Sequence, residues 1–173
     1  MWKLYFMPRE EVAVLKNHQA SFIRSSLHGG RTDKRGSIIS LSDEAFAKGD
    51  RIHYYDFKSL YPSVQKCSVH GTYYPRGTVE EDRHLQYQEN ITNEYLLEYM
   101  NGKTGYLEID SKHLKYVTHP TLCRMKTKSN SPKLMFTNED TEKEVYAWPE
   151  IEEAILSGEI EVTKVHRALL FYG

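Results

Sequence analysis

An aspartate stands directly after a segment rich in aromatic and β-favouring residues and directly before a segment that begins like a helix. Residues 51–57, RIHYYDF, predict a strand, and residues 59–67 predict a helix with Pro62 in its first turn. This order would place the Asp56 carboxylate beside backbone amides that have no partner inside the helix. A carboxylate can bind Mg²⁺, and free amides can bind phosphate oxygens. A nucleoside triphosphate needs both, although a lone Asp in such a place is more often a turn or cap residue.

Residues 56–63, DFKSLYPS, are more specific than that general pattern. They resemble motif A of the family B DNA polymerases, whose signature reads DxxSLYPS. The resemblance implies that Asp56 is a catalytic ligand of the metal ions, and that Tyr61 stacks under the sugar and excludes a ribose 2′-hydroxyl. It also implies a second metal ligand, the Phe57 carbonyl. The nucleotide-binding residues implied in this way are Phe57, Ser59, Leu60 and Tyr61.

A glycine pair lies a little upstream of motif A, in residues 28–33, HGGRTD. Protein-primed members of the same family carry a YxGG-type element at this place, and it contacts the template strand. Glycines allow a DNA strand to approach the backbone closely, and an arginine can meet a phosphate. The resemblance therefore implies DNA contacts by Gly29, Gly30 and Arg31. Leu27 stands where the tyrosine of the element would be.

The second half of the chain resembles the insertion that follows motif A in protein-primed polymerases, the first terminal-protein region. The similarity runs through residues 119–122 (HPTL), 133–136 (KLMF) and 144–171. It implies contacts with a terminal protein, which primes replication, and with the nearby DNA. A basic loop in this half would share in such contacts, although charge runs as often simply face water. Its cations are Arg124, Lys126, Lys128 and Lys133.

The expected fold class is α+β: a partial polymerase palm with antiparallel strands and a helix after motif A, plus a small α+β insertion subdomain. We expect the start of the palm in residues 1–50, the palm core in residues 51–115 and the insertion in residues 116–173. Periodicity and turn signals predict the other elements. These are a helix within residues 9–28, a helix around residues 95–99, a strand at 105–109, a hairpin of 133–136 with 144–147, a helix from Pro149 to Gly158 and a strand at 159–171.

Two motifs of the complete family B enzymes do not occur in these 173 residues. They are the YxDTDS-like hairpin with the second aspartate and the fingers motif KxxxNSxYG. Two-metal phosphoryl transfer needs carboxylates on both sides of the metal pair. We therefore expect a nucleotidyltransferase-family chain that does not polymerise DNA by itself and binds Mg²⁺ or Mn²⁺ weakly or not at all. The intact enzyme would use Mg²⁺, DNA and deoxynucleoside triphosphates.

Other functions compete with a polymerase fragment. One is a stand-alone, non-catalytic module that binds a terminal protein or single-stranded DNA. A metal-dependent nuclease built on Asp56 ranks last, because the sequence shows no carboxylate cluster beside it. Within the polymerase interpretation, a piece of a longer enzyme is favoured over one part of a split enzyme or a free-standing relic.

Composition limits the remaining classes of function. The net charge of −1 lacks the positive excess of proteins that coat duplex DNA, so any DNA contact should be local. The two cysteines form no metal-binding pattern, the histidines have no paired spacing, and no apolar run reaches membrane-span length. We expect a soluble, intracellular protein with no membrane partner, in a host compartment that the sequence leaves open. An uncovered palm sheet edge would allow a homodimer.

Overall fold

The computed structural model describes residues 14–29, 40–60, 77–126 and 133–172. The chain divides into two units, one formed by Met1–Gly29 with Thr72–Gly173 and the other by Gly30–Gly71. The helices are α1 (Asn17–Ser25), α2 (Asp43–Ala47), α3 (Arg83–Gln86), α4 (Asn93–Met100) and α5 (Trp148–Leu156). The strands are β1 (Thr78–Glu81), β2 (Thr104–His113), β3 (Cys123–Lys126), β4 (Lys133–Phe136), β5 (Thr141–Ala147) and β6 (Ile160–Tyr172).

A four-stranded antiparallel sheet organises the larger unit, with the strand order β1-β6-β2-β5. Alternate residues of β2 are buried, as expected when one face of a sheet covers a core. Helices α4 and α5 contribute the opposite side of this main core. Its fully buried members include Leu96, Leu107, Ile109, Ile151 and Val162. The α+β class expected from the sequence is confirmed.

Helix α5 and strand β6 follow the sequence signals closely. Pro149 lies in the first turn of α5, where its missing N–H costs no helical hydrogen bond. Ile151, Ala154 and Ile155 face the core as predicted, and Gly158 ends the segment with a φ of +68°. Strand β6 then begins at Ile160. The predicted helix around residues 95–99 and the predicted strand at 105–109 are also confirmed, as α4 and β2.

Two sequence predictions of strands are wrong. Residues 51–57 form no strand, although their residue types favour one. Strand β4 pairs with β3 rather than with β5, and β5 pairs with β2, so the predicted hairpin of 133–136 with 144–147 does not exist. Both errors have one cause. Local residue type predicts an extended backbone, but it does not predict which neighbouring strand, if any, will form hydrogen bonds with that backbone.

A double irregularity in the β2–β6 pairing brings an acid and a histidine together. The register shifts twice along β2, leaving His166 and Thr163 as extra residues on β6. His166 Nε2 lies 2.8 Å from Asp110 Oδ2, and the Lys143 amide donates to Asp110 Oδ1 at 2.8 Å. Burial alone would raise the pKa of Asp110, but the Lys143 amide and His166 outweigh it and hold that pKa below its ordinary value.

Replacing Asp110 by asparagine should lower stability at pH 7 by up to about 1 kcal/mol, since the contacts of its carboxylate with the Lys143 amide and His166 are partly exposed and screened by water. A carboxyl whose pKa is depressed by folding stabilises the protein above its unfolded pKa, 3.8 here, and this stabilisation is lost as the pH falls through the folded value. Urea unfolding at pH 7 and at pH 3 measures the difference. If the two proteins differed in unfolding free energy by the same amount at pH 7 and at pH 3, the lowered pKa of Asp110 would be contradicted.

None of the helices in the described part of the chain has the length and apolar character needed to cross a membrane.

Candidate functional site

The described part of motif A lies in the smaller unit and is solvent-exposed. Asp56 and the residues on either side of it belong to no helix or strand. The side chain of Phe57 is 79% exposed, and that of Leu60 is 48% exposed. Tyr61, with the rest of the predicted helix after Leu60, lies outside the described residues. The Asp56 carboxylate and the neighbouring backbone are therefore accessible to a ligand within this unit.

Helix α2 precedes motif A and buries none of its own residues. Ser42 caps the helix, its hydroxyl accepting a hydrogen bond from the Ala45 amide at 3.2 Å. The Arg51 guanidinium lies 4.3 Å from the centre of the Phe46 ring and donates to the Phe46 carbonyl at 3.1 Å. These contacts join α2 to Arg51, which lies five residues before Asp56.

Ser59 has a left-handed backbone conformation, with a φ of +54°. This conformation costs a non-glycine residue roughly 1–2 kcal/mol, so it persists where the surrounding chain requires it. It occurs within the motif, at the residue where a helix was predicted to begin, and the helical conformation starts one residue later, at Leu60. Strain at such a position supports a functional role for the turn formed by Lys58 and Ser59.

Motif A offers two oxygen donors of the kind that bind Mg²⁺ in proteins. Asp56 offers a carboxylate and Phe57 a carbonyl, the hard oxygen ligands that Mg²⁺ prefers. Proteins often bind Mg²⁺ through only one or two carboxylates, with substrate phosphates and water as the remaining ligands. Among the described residues, no three or more His, Cys, Asp or Glu side chains are grouped in a way that could hold a metal ion. The described ligands could therefore contribute to a metal–triphosphate site but do not complete one.

The glycine pair upstream follows directly from α1. That helix ends at Ser25, and the His28 amide then donates to the Ser26 carbonyl at 3.0 Å. No described residue lies within 4 Å of the place where a Cβ of Gly29 would stand, and Leu27 is 67% exposed. Gly30 and Arg31 lie outside the described residues. The helix predicted within residues 9–28 is confirmed as α1, which buries Gln19 and Phe22.

His28 is packed, unlike Leu27 and Gly29. Its ring centroid lies 6.0 Å from that of Tyr146 on β5, with the two rings tilted by 50°. Burial lowers the pKa of His28 from its ordinary value, so the imidazole is neutral at pH 7. The sequence analysis did not associate Tyr146 with this turn, because the two residues are more than a hundred positions apart and no local pattern connects them.

The prediction of one basic loop is wrong for three of its four cations. Arg124 and Lys126 lie in β3, and Lys133 lies in β4, paired in register with Lys126. Arg124 forms an ion pair with Glu139 and donates to the Asp140 carbonyl at 3.1 Å. Lys128 and the side chains of the other two lysines lie outside the described residues. Glu139 and Asp140, which follow β4, therefore bind the Arg124 side chain.

Comparison with known proteins gives the family. The family of organellar and viral type B DNA polymerases matches residues 1–172. No curated protein sequence and no solved structure matches the chain significantly. The match covers both described units, including motif A, the glycine pair and the whole sheet. This chain belongs to the type B DNA polymerase family of organelles and viruses.

Proposed function

We propose that this chain is the part of a protein-primed DNA polymerase that carries motif A and the first terminal-protein region. The observation that carries the proposal is the sequence DFKSLYPS at residues 56–63, within a family match that spans residues 1–172. Membership of the family implies DNA and deoxynucleoside triphosphates as substrates and favours a polymerase over a stand-alone binding module. Replication primed by a protein rests on the similarity of residues 119–171 to the terminal-protein region.

Motif A would bind the metal–triphosphate complex. Asp56 would be the catalytic metal ligand, with the Phe57 carbonyl beside it, and the amides near Ser59 and Leu60 would meet phosphate oxygens. Tyr61 would stack under the sugar. A divalent metal would supply electrostatic stabilisation of the charge that develops on the transferred phosphoryl group. The exposure of Asp56 and the left-handed backbone of Ser59 support these roles.

Two segments would bind the macromolecular partners. Gly29, Gly30 and Arg31 would contact the template strand, and no described residue stands where a Cβ of Gly29 would lie. The four cations Arg124, Lys126, Lys128 and Lys133 would contact DNA or the terminal protein. In this proposal the insertion begins near residue 116 and follows the palm core of residues 51–115. A homodimer through an uncovered sheet edge stays part of the proposal.

Primer extension tests whether the chain carries a complete active site. The chain supplies one of the two aspartates that two-metal transfer needs, so we expect no extension of a primed template with Mg²⁺ or Mn²⁺. Wild-type chain and Asp56→Ala should both be inactive at the detection limit. Extension by the wild type that disappears in Asp56→Ala would overturn the expected inactivity and confirm the catalytic role of Asp56 at the same time.

A further inference from the structure

The segment that follows β2, residues 114–121, is tied to the rest of the larger unit by two sets of hydrogen bonds. The Val117 amide donates to Asn138 Oδ1 at 2.8 Å, and the Val117 carbonyl accepts from Asn138 Nδ2 at 3.1 Å. The amide and the hydroxyl of Thr121 donate to the two carboxylate oxygens of Glu159, at 2.8 and 2.9 Å. We call this segment the clamped loop.

The clamped loop is held firmly although its large apolar side chains face water. Glu159, which holds its end, is buried, and a charge is removed from water at a cost that its hydrogen bonds have to offset. A loop held for stability alone would bury its own apolar groups in return. Instead, Tyr116 is 83% exposed and Leu114 is 56% exposed. A fixed backbone that presents exposed apolar side chains is preorganised for binding, because little conformational entropy is left to lose.

Helix α5 extends the same surface. The Lys115 ammonium of the clamped loop donates to the carbonyl of Ser157, directly after α5, at 2.5 Å. Leu156, the residue before Ser157, is 67% exposed. Leu156 therefore lies beside the loop that carries Leu114 and Tyr116. Grouped, exposed apolar side chains are typical of a contact with another protein.

The charges of this surface are mainly acidic. The ionisable side chains of α5 are all glutamates: Glu150, Glu152 and Glu153. Glu153 is exposed, whereas the Lys115 ammonium already binds the end of the helix. Lys112, at the end of β2, stands opposite Glu161 in the β2–β6 pairing. Such a surface repels DNA phosphates and attracts the lysines and arginines of a protein.

We propose that the clamped loop and the exposed side of α5 form a docking surface for a basic, amphipathic segment of a protein partner. Apolar side chains of that segment pack on Leu114, Tyr116 and Leu156. Its cations meet Glu152 and Glu153, as in the binding of an amphipathic helix to a groove. The inference goes beyond the proposed function, which assigns partner contacts to cations of this chain, and it does not require the partner to be a terminal protein.

Fluorescence anisotropy with a synthetic peptide tests the surface directly. The probe is a labelled peptide of about 18 residues, in which leucines and lysines follow helical periodicity. The same peptide with glutamates in place of the lysines is its control. The chain should bind the basic peptide, and it should bind the acidic peptide at least about tenfold more weakly.

Substitutions then locate the site. Tyr116→Ala, Leu156→Gln and Glu153→Lys should each weaken the binding of the basic peptide about five- to tenfold. All three side chains are exposed, so the variants should fold like the wild type. Tyr87→Ala and Glu98→Lys are matched controls, since they change an exposed tyrosine and an exposed acid elsewhere in the larger unit. These two should bind the peptide like the wild type.

Four results would overturn the inference. The first is a basic peptide that does not bind, and the second is equal affinity in the surface variants and in the controls. The third is a single-stranded oligonucleotide whose binding Tyr116→Ala and Leu156→Gln weaken, because DNA would then occupy the surface. The fourth is self-association of the chain in ultracentrifugation that Leu156→Gln abolishes, because a second copy would then cover it. All four leave the proposed role of Asp56 untouched, since they do not involve motif A.

Discussion

Gly105→Ala is expected to lower the free energy of unfolding by about 3 kcal/mol or to prevent folding altogether. Gly105 lies on the core face of β2, opposite Leu170 of β6. A Cβ at this position would stand 2.5 Å from the Leu169 carbonyl oxygen and 2.6 Å from Leu170 Cδ2. The oxygen belongs to the backbone of a paired strand, so it cannot move aside without disturbing the pairing that organises the sheet.

Urea unfolding of Gly105→Ala against the wild type measures this effect. Gly29→Ala is the matched control, because a Cβ there would meet no described residue within 4 Å. The control should change stability by no more than about 0.5 kcal/mol. Equal denaturation midpoints for the two alanine variants would show that the close approach of β2 to β6 does not exist as described.

Asn93→Ala is expected to cost about 2–3 kcal/mol, because its side-chain amide completes the edge of β6. Asn93 Nδ2 donates to the Ile160 carbonyl at 2.8 Å, and Asn93 Oδ1 accepts from the Val162 amide at 3.0 Å. Strand β1 pairs only with the last part of β6, from Leu169 to Tyr172. The α4 side chain thus stands in for a neighbouring strand where β1 does not reach.

Hydrogen exchange locates the loss in Asn93→Ala. The Val162 amide should exchange much faster than in the wild type, while amides in the middle of β2 change only as much as global stability does. Asn101→Ala, at the exposed end of α4, is the control and should leave the exchange rates of Val162 and of the β2 amides unchanged. Unaltered protection of Val162 would mean that the Asn93 side chain does not pair with β6.

The elements that the sequence predicted well are those whose signals are local. Pro149 and Gly158 mark the two ends of α5, and alternating burial marks β2. These features depend on residues a few positions apart, so a short window contains the information. The resemblance to motif A also rests on eight consecutive residues, and the role of that motif stays a prediction.

The features that sequence reasoning missed all depend on distant partners. Residues 51–57 have strong strand propensity, yet Tyr54 is 94% exposed and no strand forms there. Propensity describes how well a side chain suits a pleated surface, and it does not supply the neighbouring backbone. The pairing of β5 with β2, the Asn93 contact with β6 and the meeting of His28 with Tyr146 likewise join residues far apart in sequence.

The central claim is that Asp56 binds the metal–nucleotide complex of a type B polymerase, and calorimetry with Mg²⁺ and a deoxynucleoside triphosphate tests it most directly. Asp50→Ala, another exposed aspartate upstream in the smaller unit, is the control for loss of one negative charge. Half of a two-metal site should bind with about millimolar affinity in the wild type and in Asp50→Ala. Asp56→Ala should bind at least about tenfold more weakly, since it loses the one carboxylate of the motif. The same affinity in Asp56→Ala and in the wild type would contradict the account.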